Sequence, residues 1–188
     1  MIPKMDPFTR WVDLRAGAIA GTQVAERRLS DMEDYYLRDP ATIKADRLIY
    51  EVYAVPVEES NSELQCSTTV MQPGRVGNEF HMTKGHYHAT RDRSEVYLGL
   101  AGTGLLLMAT EDGRYRVEPI GPGSLSYVPG GWAHRSINVG TEPLAFFAVY
   151  VGDAGHDYRT VEERGLPVRI VAAGGSHAVQ PNPRYRSR

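Results

Sequence analysis

Between residues 48 and 151, short apolar runs recur along the chain and are separated by glycine, proline, asparagine and aspartate. Several runs alternate apolar with polar positions, as strands with one buried face do. Many short strands at regular spacing, with few helices, are typical of an all-β protein built as an antiparallel sandwich or barrel. We predict strands over residues 48–57, 66–72, 79–88, 95–102, 104–110, 115–120, 125–128, 134–138 and 144–151.

Helical patterns are confined to the two ends of the chain. Residues 26–38 carry apolar positions at helical spacing and predict a helix that ends before a proline. In a shorter alternative, Ser30 caps a helix that begins at Asp31, and Glu33 completes a capping box. Either helix would lie on the outside of the predicted β-structure.

The residues after 152 predict smaller elements. A second short helix is expected over 160–164, where Gly165 closes it. Residues 168–172 predict a strand at the edge of a sheet. From Pro181 onward the chain is rich in proline and arginine, so we expect a loose tail or one draped over the surface.

Composition limits the class of protein. The chain has 188 residues, a formal net charge of −2 and 41% hydrophobic residues, values typical of one soluble globular domain. We expect a single domain over 1–188, with an N-terminal extension to about residue 45, a β-barrel core over about 46–152 and a C-terminal extension over 153–188. The near-neutral charge and the lack of an apolar run of ~20 residues predict no nucleic-acid partner and no membrane partner. Cys66 is the single cysteine, which excludes an intrachain disulfide and suits a cytoplasmic location.

Candidate chemistry lies in two segments some forty residues apart. His86 and His88 are two residues apart, so their imidazoles project from one face of an extended strand. Glu95 can return on the next strand, and His134 follows a Pro-Gly-Gly turn. Three imidazoles and one carboxylate suit a divalent transition metal such as iron, manganese, nickel or zinc. The alternative is that these are unrelated surface and core histidines.

The two segments resemble the two-part signature of the cupins, which are small antiparallel jelly-roll barrels. In the first segment the match departs once, because six residues separate His88 from Glu95 where the general pattern has three or four. The resemblance implies a cupin jelly-roll barrel, a double-stranded antiparallel β sandwich with a few short peripheral helices. The matching positions are His86, His88, Glu95, Gly102, Gly123, Pro129, Gly131, His134 and Asn138.

Over nearly its whole length the chain is similar to the cupin-type, archaeal-style glucose-6-phosphate isomerase family. The distinctive stretches are RRLSDME at 27–33, TKGHYH at 83–88 and DAGHDY at 153–158. The resemblance implies interconversion of glucose 6-phosphate and fructose 6-phosphate, with mannose 6-phosphate as a further substrate. It also implies one divalent transition metal per subunit, with Fe²⁺ favoured over Mn²⁺, Ni²⁺ or Zn²⁺, and a homodimer.

The resemblance assigns roles to residues of this chain. It implies metal ligation by His86, His88, Glu95 and His134, and catalytic roles for Glu95, His134, Tyr97 and His156. Substrate and phosphate contacts fall to Thr69, Thr83, Gly85, Tyr50 and Tyr150. Lys84 adds a charge on the same face as His86 if the strand is regular, but regular pleating would then turn Thr83 away. A bulge would reconcile the two.

Several alternatives stay open on the sequence. A cupin dioxygenase uses the same ligand set, and a non-catalytic sugar-binding module is a third interpretation. The threonines and tyrosines also suit ordinary strand and core positions. Gly131 stands where the isomerase family often has an aromatic residue, which affects the expected specificity. The hydrogen can move through an enediol or by a hydride shift.

Overall fold

The computed structural model describes residues 5–37 and 45–187. Within them the chain forms thirteen strands, one α-helix (α1, Tyr158–Arg164) and a 3-10 helix (Leu29–Tyr35). The strands are β1 Gln23–Arg28, β2 Leu48–Ala54, β3 Leu64–Met71, β4 Arg75–Val76, β5 Glu79–Phe80, β6 Glu95–Ala101, β7 Gly104–Ala109, β8 Tyr115–Ile120, β9 Leu125–Val128, β10 Ala133–Asn138, β11 Leu144–Val151, β12 Val168–Ala173 and β13 Ser176–Pro181.

All strand pairs are antiparallel and form three sheets. The six-stranded sheet has the order β1-β2-β3-β11-β6-β9, the three-stranded sheet β10-β7-β8, and the four-stranded sheet β13-β12-β5-β4. Met71 and Leu144 of the six-stranded sheet join one buried apolar cluster with Leu106 and Ile137 of the three-stranded sheet. The predicted all-β class and jelly-roll barrel are confirmed.

The helix predicted over 26–38 is wrong at its start. Residues up to Arg28 form β1, which pairs with β2, and a 3-10 helix follows from Leu29 to Tyr35. The shorter alternative is also wrong, because Arg28 is the N-cap and its backbone N–H donates to Asp31 Oδ2 at 2.8 Å. Leu29 is buried in the 3-10 helix, as it would be on the apolar face of the predicted helix, so the apolar spacing alone does not distinguish the two. Arg38 lies outside the described residues.

The strand predicted over 79–88 is also wrong as a continuous element. Regular pairing stops at Phe80, and the chain then touches β10 through single bridges at Met82 and His86. Gly85 has a φ of 72°, in the left-handed region that interrupts the alternation of a strand. The segment therefore crosses from the four-stranded sheet to the three-stranded sheet.

The C-terminal residues are more ordered than predicted. Strand β12 is not at an edge, since it pairs with β13 on one side and β5 on the other. The tail beyond β13 is draped over the protein: Asn182 Nδ2 donates to the Leu166 carbonyl at 2.8 Å, and Arg184 Nη1 donates to the Tyr36 carbonyl at 3.0 Å. Within the described residues, no helix has the length and apolarity needed to cross a membrane.

Candidate active site and metal centre

One face of the six-stranded sheet lines a cavity of about 240 Å³. Residues directly opposite each other in antiparallel strands project from the same face, and the pairs Tyr150–Glu95 and Val52–Thr69 both line this cavity. The segment around Gly85 and strand β10 complete the walls. The predicted site residues found in the lining are Tyr50, Thr69, Thr83, Lys84, Gly85, His86, Glu95, Tyr97, His134, Tyr150 and His156.

The four residues predicted as metal ligands come together: His86, Glu95 and His134 line this cavity, and His88, which is not in the lining, joins them in one cluster. One ligand atom from each of His86, His88, Glu95 and His134 lies within 4.8 Å of the others. Glu95 Oε2 is 3.2 Å from His88 Nε2 and 2.9 Å from His134 Nε2. His88, Glu95 and His134 are each no more than 4% exposed, so solvent water screens their charges only weakly.

The hydrogen bonds of the histidines fit a cation at the centre of the cluster. His88 Nδ1 lies 2.8 Å from the Arg93 carbonyl, and His134 Nδ1 lies 3.3 Å from the Trp132 carbonyl. A carbonyl accepts only, so each Nδ1 carries a proton, and His134 Nε2 is left to present a lone pair. His88 Nε2 lies within hydrogen-bond distance of Glu95 Oε2, and a bound cation would take the place of the proton between them. The Nε2 atoms of His86 and His134 are buried and have no hydrogen-bond partner among the described residues. The 2.9 Å contact of His134 Nε2 with Glu95 lacks the alignment of a hydrogen bond.

Electrostatics hold Glu95 and His86 in the protonation states that ligate metals. Burial alone would raise the pKa of Glu95, but the adjacent His134 and His88 outweigh it and lower that pKa to about 2. Burial, assisted by the neighbouring imidazoles, lowers the pKa of His86 well below its usual value. The cluster at neutral pH thus contains an ionised carboxylate and a neutral imidazole, the forms that bind a transition metal. Burial would lower the pKa of His88, but its hydrogen bonds to Glu95 and to the Arg93 carbonyl outweigh burial and raise it, so a metal would displace a proton from His88.

The long spacer between His88 and Glu95 is anchored to the loop after β11. Arg93 donates through Nε and Nη2 to the two carboxylate oxygens of Asp153, each at 2.7 Å. Thr90 N donates to the Ala154 carbonyl at 2.9 Å. The sequence analysis assigned no role to Arg93 or Asp153, although Asp153 begins the DAGHDY motif. The anchored loop is the one that carries His156.

His156 and Tyr158 form a second group of rings beside the cluster. The His156 ring centroid is 4.5 Å from that of His86, and it stacks on Tyr158 at 5.6 Å with an interplanar angle of 8°. Tyr158 also lines the cavity, at 5.2 Å from the His86 ring. It is the first residue of α1, which Asp157 caps by accepting from Thr160 N at 3.1 Å. Tyr158 was missed in the sequence, although it ends the DAGHDY motif.

Thr83, Lys84 and Gly85 all border the cavity because the backbone here is irregular. The conflict over pleating is resolved by the left-handed Gly85 and the bridge at His86, not by a bulge within a strand. The Thr83 hydroxyl accepts from Ser136 N at 3.0 Å. Lys84 lines the cavity, but its Nζ lies 5.5 Å from the ring centroid of Tyr35, which does not belong to the lining.

Gly131, where the family often has an aromatic residue, lies outside the cavity lining. Its φ is 82°, and a Cβ built there meets no atom within 4 Å. A side chain at this position would therefore extend into open space in this chain. The departure at Gly131 removes no wall from the described cavity.

Comparison with known proteins gives one consistent result. A family model described as "Glucose-6-phosphate isomerase (GPI)" matches residues 26–186. The chain is 45% identical over 186 residues to the glucose-6-phosphate isomerase of Pyrococcus abyssi, covering 97% of this chain and 98% of that protein. It is 36% identical to the glucose-6-phosphate isomerase of Sinorhizobium medicae, covering 100% of this chain and 92% of that protein.

Among solved structures, oxalate decarboxylase of Bacillus subtilis superposes on 57% of this chain and 26% of its own, with a TM-score of 0.45 and 22% identity. The family model and the two relatives extend over the strands and loops that build the cavity and the four-residue cluster. This chain belongs to the glucose-6-phosphate isomerase family.

Proposed function

We propose that this protein is a metal-dependent aldose–ketose isomerase that interconverts glucose 6-phosphate and fructose 6-phosphate. The observation that carries the proposal is the convergence of His86, His88, Glu95 and His134 on a cavity of about 240 Å³. The cavity walls also carry the hydroxyls of Thr69 and Thr83, which can donate to a phosphate. Family membership supports the same reaction.

The resident ion would be one divalent transition metal per subunit, held by His86, His88, Glu95 and His134. We propose Fe²⁺, with Mn²⁺, Ni²⁺ and Zn²⁺ as alternatives, because three imidazoles and one carboxylate suit all four ions. When bound, the ion would act as a Lewis acid toward the oxygens of the open-chain sugar.

The other cavity residues would orient the sugar and exchange protons with it. Tyr97 is buried beside Glu95 and the His134 ring, and the Tyr150 ring lies 5.9 Å from that of His88. Tyr50 is buried and lines the same cavity. His156 is the imidazole of the lining that stands outside the ligand cluster, so its nitrogens remain available to a sugar oxygen. These residues would hold the first two carbons in place while hydrogen moves between them.

Removing the metal and adding it back tests the function directly. We expect the chelated protein to lose conversion of fructose 6-phosphate, because the ligand cluster would lack its Lewis acid. Iron, manganese, nickel and zinc are then added separately, and glucose 6-phosphate formation is followed in each sample. We expect Fe²⁺ to restore the most activity and mannose 6-phosphate to be accepted as well. Oxygen uptake without isomerisation in the iron-loaded protein would instead indicate a dioxygenase, and substrate binding without turnover a sugar-binding module.

Replacing His156 by alanine tests its place in the reaction. We expect kcat to fall by about 10²-fold, the usual contribution of a positioned proton-transfer group. Metal content should stay at the level of the unchanged protein, because His156 is not in the ligand cluster. Steady-state kinetics and elemental analysis of the same sample check both statements. An unchanged kcat would remove His156 from the mechanism.

We also propose that the protein is a cytoplasmic homodimer. Support comes from the N-terminal segment, where Phe8, Trp11 and Leu14 are exposed, Trp11 by 81%. Large apolar side chains exposed within one short stretch of chain are typical of protein–protein contacts. A single free cysteine suits a reducing compartment. Sedimentation should give the mass of two chains.

A further inference from the structure

Arg27 is a cavity-lining cation that the sequence motifs did not assign to the site. It lies on β1 opposite Tyr50 of β2, and these directly paired residues project from the same face of the sheet. Ala25, two residues earlier on β1, lines the cavity as well. The edge strand thus places one half-buried guanidinium at the wall formed by Tyr50.

The charge of Arg27 has no carboxylate partner among the residues that the structure describes. Its Nη1 donates to the carbonyl of Glu26 at 2.7 Å, and no ion pair involves it. Its neighbour Arg28 differs, because it pairs with Asp46 at 2.9 Å and with Glu26 at 3.4 Å and does not line the cavity. Glu95, the carboxylate that does line the cavity, belongs to the ligand cluster.

The wall of the cavity that carries Arg27 lies near the ligand cluster. Arg27 and Tyr158 line the same cavity. The ring centroid of Tyr158 lies 5.2 Å from that of His86, so this lining reaches the ligand cluster. Lys84, the other cation of the lining, has its ammonium against Tyr35.

We propose that Arg27 is the cationic contact of the substrate's phosphate group and a determinant of specificity for phosphorylated sugars. The proposal rests on the proposed function, in which the hydroxyls of Thr69 and Thr83 are the neutral donors to the phosphate. A phosphate dianion bound by hydroxyls alone would stay largely uncompensated, whereas a guanidinium offers paired donors and a permanent charge. Its half-exposed position would let it reach the phosphate while the sugar end lies at the cluster.

The test compares variants that lose the same charge from neighbouring positions. Arg27→Ala and Arg28→Ala each remove one guanidinium, and Arg27→Met keeps the apolar stem of the side chain. Each metal-loaded variant is assayed for kcat and KM with fructose 6-phosphate, and titrated with inorganic phosphate by calorimetry. Thermal melts show that each variant is folded.

We expect Arg27→Ala and Arg27→Met to raise KM and the phosphate dissociation constant by about 10- to 100-fold, the range for a charged hydrogen bond. Arg27→Lys should recover part of this loss, and kcat should change by less than about 5-fold because the contact is made equally in ground and transition states. Arg28→Ala should leave all constants unchanged.

Three outcomes would overturn the role of Arg27. One is an unchanged KM in Arg27→Met. Another is an equal rise of KM and of the phosphate dissociation constant in Arg28→Ala, which would indicate long-range attraction of the phosphate and not a direct contact. The third is a fall in kcat with no change in phosphate binding. If the unchanged protein binds phosphate through Arg27 but isomerises no sugar phosphate in any metal form, the proposed function fails while the anion contact stands.

Discussion

Replacing His86 and His88 together by alanine is expected to abolish metal binding and lower isomerase activity by at least about 10³-fold. The two side chains supply half of the donors in the cluster, and a site with one imidazole and one carboxylate holds a divalent ion weakly. Elemental analysis after dialysis measures the occupancy. The thermal midpoint of the unchanged protein should rise when metal is added, and that rise should vanish in the variant.

The control for this variant is His177→Ala. His177 is exposed on β13 and does not belong to the ligand cluster, so metal content and activity should match those of the unchanged protein. Full occupancy in the double variant would mean that the ion binds elsewhere. The assignment of the metal centre would then be wrong.

The second large effect is expected from Gly85→Ala. A Cβ at this left-handed position would lie 3.0 Å from Arg135 Cβ and 3.1 Å from the His134 carbonyl oxygen. The backbone strain alone costs about 1–2 kcal/mol of folding free energy, and relieving the contacts must move Gly85 relative to β10. Because His86 N donates to the same His134 carbonyl, the movement reaches the ligand cluster. We expect activity to fall by about 10²-fold.

Gly123→Ala provides the matched control. Gly123 has a φ of 82°, but a Cβ there meets no atom within 4 Å. The Gly123→Ala variant should lose about as much free energy of unfolding from backbone strain as Gly85→Ala does, but it should keep its activity. Denaturant titrations and steady-state kinetics of the two variants separate strain from displacement. Equal activities in both would contradict a role for the Gly85 backbone in the site.

The cluster of His86, His88, Glu95 and His134 could be predicted from the sequence, because short-range patterns bring these residues together. His86 and His88 sit two residues apart, and a glycine-rich turn before His134 returns the chain to them. In the structure, a bridge between His86 and His134 joins the two sequence segments directly. Predicting that these two segments meet required no knowledge of the rest of the fold.

Arg27 and Tyr158 could not be found in this way. Strand β1 has mostly exposed residues, so it lacks the alternation that identifies a strand, and its apolar continuation suggested a helix. Only its pairing with β2 turns Arg27 toward the cavity. Tyr158 begins a helix whose placement depends on the loop held by Arg93. Both positions follow from contacts between residues distant in the chain.

Arg93 connects the ion site to the loop of His156. Its carbonyl accepts a hydrogen bond from His88 Nδ1, and its guanidinium donates to Asp153, three residues before His156. Arg93 is thus hydrogen-bonded both to a residue of the ligand cluster and to the loop that carries His156. If a bound ion raises the affinity for the sugar phosphate through this bridge, a bound sugar phosphate must raise the affinity for the ion by the same factor. A cell rich in hexose phosphate would on this basis protect the enzyme against demetallation.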